Sequence, residues 1–87
     1  MLKKHKIMKT QEYKGSWTDR FLFRIPGVNH LFGTITHDKS MSGARAVIVK
    51  KGVRVFKASK FQALDGNGYL QQLENDLQDN LIRAHNE

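Results

Sequence analysis

The sequence predicts a small α+β fold, in which an antiparallel sheet of three to four strands is packed on one face by a C-terminal amphipathic helix. Short segments of alternating or β-branched apolar residues, separated by turns rich in glycine, occupy the first two-thirds of the chain. The last third carries leucines at spacings of three and four, which is typical of a helix with one apolar side. Because one short helix covers only one face of a sheet, we expect the other face to be left to solvent or to a partner.

The length of 87 residues, with 39% hydrophobic and 26% charged residues, is that of one globular domain with a single core. We therefore predict one α+β domain over residues 11–87. Residues 1–10 are rich in lysine and form a predicted basic arm that either frays or adds an edge strand to the sheet.

The clearest strand signal lies between Trp17 and Ile25. Phe21 and Phe23 alternate there with Arg20 and Arg24, as a half-buried strand requires. Residues 31–36 and 44–50 predict two further strands, because both segments are rich in β-formers.

A tight hairpin is predicted at Lys50-Lys51-Gly52, and two registers are open. A three-residue loop pairs Val49 with Val53 and Val47 with Val55 and puts these four valines on one face, whereas a two-residue loop pairs Ile48 with Val55 and Val47 with Phe56.

The predicted helix covers about residues 68–85, with Asp65 or Asn67 as its N-cap. Its apolar stripe is needed for the core of the sheet, although such a stripe is also compatible with a homodimer seam. The helix apolar positions are Tyr69, Leu70, Leu73, Leu77, Leu81, Ile82 and Ala84.

Charge is distributed unevenly along the chain. The formal net charge is +7, but residues 1–62 carry 14 lysines and arginines against 3 carboxylates, and residues 63–87 carry one arginine against 5 carboxylates. A surface that only keeps a protein soluble usually mixes both signs, so this asymmetry indicates an anionic partner.

The expected binding residues lie on the basic hairpin and on the strand that alternates with aromatics. Lysines on a hairpin also protect sheet edges from aggregation, which is the alternative explanation. Trp17 is a candidate for stacking on a base, against the alternative that it belongs to the core. The expected nucleic-acid-binding residues are Arg20, Arg24, Arg45, Lys50, Lys51, Arg54, Lys57 and Lys60.

No catalytic, metal or cofactor site is expected. The chain has no cysteine, and its four histidines lack the spacing of a metal site. His37 and Asp38 are adjacent, and neighbours on an extended chain point to opposite sides, so a Ser-His-Asp arrangement is not expected.

These observations favour a small basic, non-enzymatic nucleic-acid-binding protein that contacts the phosphate backbone, with DNA preferred to RNA because a two-stranded hairpin fits a major groove. The alternative is a protein-interaction factor, an inhibitor or adaptor encoded by a phage or mobile element, that binds an acidic protein surface. No segment is apolar enough to predict a membrane span, and the absence of cysteine favours a cytoplasmic location.

Overall fold

The computed structural model describes residues 6–87, which form a five-stranded antiparallel sheet and two helices. The strands lie in the sheet in chain order, as a meander. The α+β architecture with a C-terminal helix is confirmed, whereas the predicted three to four strands are too few. The elements are β1 (Met8–Lys14), β2 (Thr18–Arg24), β3 (Leu31–Asp38), β4 (Gly43–Lys50), β5 (Val53–Phe61), α1 (Gln62–Asp65) and α2 (Tyr69–Asn86).

The additional strand is β1, which lies at one edge of the sheet. All of its side chains are exposed, and it pairs with β2 from Met8 opposite Arg24 to Lys14 opposite Asp19. A bulge interrupts this ladder between Gln11 and Tyr13, and bulges and lysines are devices that keep an edge strand from pairing with another chain. Residues 8–10 of the predicted arm therefore belong to the sheet, and residues 1–5 of that arm lie outside the described residues.

The core lies between the sheet and α2. Leu73, Leu77 and Leu81 are fully buried, and burying each of them stabilises the fold by about 1.5–3 kcal/mol. The expectation that the leucine stripe covers the sheet is confirmed. The sheet contributes Phe23, Ile25, Leu31, Ile35, Ala44, Ala46 and Ile48 to the same core.

Glycine at position 33 sets the close approach of α2 to β3. A Cβ atom at this position would lie 2.9 Å from Leu77 Cδ1, which is closer than a real Cβ contact. The absence of a side chain at Gly33 thus makes room for a leucine at the centre of the core.

The start of α2 differs from the prediction. Gly68, in a left-handed conformation with φ 85°, is the N-cap, and no side chain caps the helix. The carboxylate of Asp65 instead accepts a hydrogen bond from the Phe61 N–H at 2.9 Å, and the Asn67 side chain accepts one from Gln62 at 3.0 Å. Both predicted caps are therefore wrong, because these side chains stabilise the short turn of α1 that precedes the helix.

The β4–β5 hairpin has the predicted two-residue loop, but beyond Arg54 its pairing follows neither predicted register. Lys51 and Gly52 form a two-residue turn with φ values of 51° and 79°, which is the geometry of a type I′ turn. A bulge after Arg54 then shifts the pairing, so that Ile48 lies opposite Phe56 and Val47 opposite Lys57. The four valines of the hairpin, Val47, Val49, Val53 and Val55, consequently do not share one face of the sheet.

Candidate functional site

The face of the sheet turned away from α2 is called the open face. Residues directly opposite each other on neighbouring strands point to the same side, so the buried Phe23, Ile35 and Ala46 fix which positions face the helix. The alternate positions form the open face. From β2 to β5 its side chains include Arg20, Leu22, Arg24, Phe32, Thr34, Thr36, Asp38, Arg45, Val47, Val49, Arg54, Lys57 and Ser59.

Five of the eight expected binding residues lie together on the open face. They are Arg20, Arg24, Arg45, Arg54 and Lys57, and all five are exposed. β2 and β5 carry two cations each, and three strand spacings of about 4.8 Å separate these strands by about 14 Å. The cations therefore stand on both sides of the open face, with Arg45 between them.

None of these five cations forms a salt bridge within residues 6–87. The carboxylate of Asp38 is the one acidic group on the open face of β2 to β5, and it accepts hydrogen bonds from the Ser40 hydroxyl at 2.7 Å and from the Ser40 N–H at 3.1 Å. The Ser40 hydroxyl is the main reason that the pKa of Asp38 is lowered, with a smaller contribution from the Arg45 charge. The Asp38 carboxylate thus forms its hydrogen bonds within the turn that follows β3.

Two lysines on the helix side, Lys9 and Lys60, lie close to carboxylates. Lys9 pairs with Glu74 of α2 at 2.5 Å, and Lys60 lies within 4 Å of carboxylate oxygens of both Asp65 and Asp76. The acidic face of α2 therefore offsets the lysines that surround it.

Lys50 and Lys60, two of the expected binding residues, do not reach the open face. Lys50 extends along the helix side, where its Nζ donates a hydrogen bond to the main-chain carbonyl of Ala84 at 2.7 Å. A cation at this place satisfies a free carbonyl and the negative end of the helix dipole. Both lysines have structural partners, so the prediction that they bind with the open-face cations is not supported by their positions.

Lys51 is exposed at the tip of the β4–β5 turn. Its N–H donates to the carbonyl of His30 at 2.7 Å, which ties the tip to the segment before β3. Because β4 is also paired with β3 along its full length, the hairpin is part of the sheet and does not project as a separate ribbon.

Apart from Arg45, the centre of the open face is uncharged. Phe32 and Thr34 of β3 and Val47 and Val49 of β4 occupy it, and Leu22 of β2 adjoins them. All five are partly buried, and none belongs to the core cluster beneath the helix or packs against it. An apolar and hydroxyl-bearing stripe thus lies between the two sets of cations.

Trp17 lies outside the core. Its side chain is 70% exposed, in the turn between β1 and β2, where its carbonyl accepts a hydrogen bond from the Lys39 N–H at 2.8 Å. The alternative that Trp17 belongs to the core is therefore wrong, and Tyr13 of β1 is exposed as well. Stacking of Trp17 on a base stays a prediction.

The described residues hold no cluster of three or more groups that could bind a metal ion. His37 lies on the helix side, with its Nε2 3.0 Å from the Tyr69 hydroxyl, whereas Asp38 lies on the open face. The two side chains therefore do not converge on one reacting atom.

In comparisons with known proteins, no family model, no curated protein and no solved structure matches the chain. Neither helix of the described region is long and apolar enough to cross a membrane.

Proposed function

We propose that this protein is a non-enzymatic nucleic-acid-binding protein whose open face contacts phosphates. One observation carries the proposal: five cations share one sheet face, and within residues 6–87 none of them forms a salt bridge. Like charges held close together without counter-charges repel one another. An anionic partner that binds there relieves this repulsion, which favours the complex.

The identity of the cations adds to this argument. Four of the five are arginines, and a guanidinium donates two parallel hydrogen bonds to a phosphate, which an ammonium group does not do. The arginines belong to strands within the sheet, so their backbones are held rigidly before any ligand arrives.

Binding to an acidic protein surface would use the same charges. A protein partner also requires a buried anchor at the centre of its interface, usually an aromatic or arginine side chain that fills a pocket. The depression on the open face is lined by Arg45, Arg54 and Lys57 as well as by threonines and valines, and a hollow bordered by several cations fits a repeating polyanion better. The cytoplasmic location and the phage or mobile-element origin stay predictions.

The test is a fluorescence anisotropy titration of labelled oligonucleotides at two salt concentrations. Five phosphate contacts give a slope of log affinity against log salt of about −3.5 for single strands and about −4.5 for duplex. Affinity should then fall about 100-fold or more between about 50 mM and about 200 mM salt. Absence of binding at the lower salt concentration, or a slope near zero, would contradict the proposal.

A further inference from the structure

We infer that the ligand of the open face is single-stranded nucleic acid, which lies across the strands with its bases on the uncharged centre and its phosphates on the cations. This inference rests on the proposed function. It follows from the width of the face, from the anchoring of the hairpin and from the pairing of aromatic with arginine side chains.

The open face is too wide to enter a groove of a duplex. Four spacings of about 4.8 Å separate β1 from β5 by about 19 Å, whereas the major groove of B-DNA is about 12 Å wide. A two-stranded ribbon could enter, but the Lys51 N–H and the Lys50 ammonium group hold the β4–β5 hairpin against the rest of the protein. A duplex could therefore meet this face only through its outer phosphates.

The uncharged centre of the open face suits an apolar partner. Phe32, Val47 and Val49 are only partly buried, and a duplex resting on the cations would cover them with charged phosphates. A single strand offers the exposed faces of its bases, because they are not all stacked and paired inside a helix. Of these two forms of nucleic acid, the single strand is the one that matches both the charged and the uncharged parts of the face.

Two aromatic side chains lie directly opposite arginines of β2. Tyr13 of β1 is opposite Arg20, and Phe32 of β3 is opposite Arg24. Directly opposite residues have Cβ atoms about 4.5–5.5 Å apart, so each aromatic ring and its arginine are attached at neighbouring positions on the open face. A ring that stacks on a base next to a cation that binds its phosphate is the combination that single-strand-binding surfaces use.

The experiment compares one single-stranded DNA oligonucleotide, its RNA equivalent and the matching DNA duplex at one low salt concentration. We expect at least one of the single strands to bind about tenfold or more tightly than the duplex. Equal or tighter binding of the duplex would overturn the inference and leave the proposed function standing. Absence of binding to all three probes would overturn both.

Variants separate stacking from charge. Phe32→Leu and Tyr13→Leu keep an apolar side chain but lose the ring, and each should weaken single-strand binding about fivefold or more without changing duplex binding. Phe32→Tyr keeps the ring and should bind like the original protein, and Leu64→Ala, in the exposed part of α1, is the control away from the face. Circular dichroism confirms that each variant folds. Unchanged single-strand affinity in folded Phe32→Leu and Tyr13→Leu would contradict stacking on these rings and overturn the inference.

Discussion

The ammonium group of Lys50 lies 2.7 Å from the main-chain oxygen of Ala84, to which it donates a hydrogen bond. This contact joins the end of β4 to the last turn of α2. It shows how the two faces of the protein differ: on the helix side, Lys9, Lys50 and Lys60 interact with groups of α2, whereas the open-face cations have no such partners within residues 6–87.

Replacing Lys50 should lower the stability of the fold and leave nucleic-acid binding nearly unchanged. Lys50→Ala removes a charge-assisted hydrogen bond and a favourable charge at the end of the helix, so we expect it to lower the free energy of unfolding by about 1–2 kcal/mol. Urea unfolding followed by circular dichroism measures this loss. Nucleic-acid affinity should change less than twofold, and a loss as large as that of an open-face arginine variant would show that Lys50 contacts the ligand.

Gly33→Ala should destabilise the protein through the core. The new methyl group would meet Leu77, which is fully buried and cannot move aside freely, so we expect a cost of about 1–3 kcal/mol. Leu77→Ala alone should cost about 2–5 kcal/mol. The double variant should be more stable than the sum of the two losses predicts, because the alanine at 33 then enters the space that Leu77 leaves. Strictly additive losses in urea unfolding would contradict this packing.

The Asp38 carboxylate should make stability depend on pH. Hydrogen bonds from Ser40 lower the pKa of Asp38 in the folded protein, so the ionised carboxylate stabilises the fold above the pKa of the unfolded chain. That contribution should be lost as the pH falls through the lower, folded pKa. Comparison of melting temperatures of the original protein and Asp38→Asn should show a difference near pH 7 that disappears under strongly acidic conditions. A difference that is the same at all pH values would contradict the assignment.

The fluorescence of Trp17 should show how exposed its side chain is and whether nucleic acid covers it. It is the single tryptophan of the chain and is 70% exposed, so acrylamide should quench its fluorescence almost as well as that of free indole. If Trp17 stacks on a base, saturating single-stranded DNA should reduce both its emission and its access to acrylamide, and Trp17→Leu should weaken binding by about 1–3 kcal/mol. Unchanged quenching in the complex would place Trp17 outside the interface.

Much of the fold is readable from the sequence, because it depends on periodic burial. The alternation around Phe21 and Phe23 and the leucine spacing of α2 each have one buried side, and the structure has the elements that they predict. β1 gives no such signal, because all of its side chains are exposed and it is held by its ladder to β2.

The candidate site is harder to predict because it depends on register. β4 is apolar on both faces, so alternation alone does not show that Arg45 faces outward while Lys50 faces the helix. The bulge after Arg54 changes the pairing of β5 with β4. No residue type in the hairpin predicts this bulge. These registers place Lys50 and Lys60 beside α2, where they have partners, and Arg45, Arg54 and Lys57 on the open face, where they have no salt-bridge partner within residues 6–87.

The central claim is that the open face, and not positive charge in general, binds nucleic acid. The most direct measurement compares two double variants that each remove two positive charges: Arg24→Ala with Arg54→Ala on the open face, and Lys14→Ala with Arg83→Ala away from it. Each is titrated with single-stranded DNA at one low salt concentration. We expect the first pair to weaken binding about 30-fold or more and the second less than about threefold, because only the first removes phosphate contacts. Equal losses from the two pairs would contradict the claim, because they would show that net charge alone controls binding.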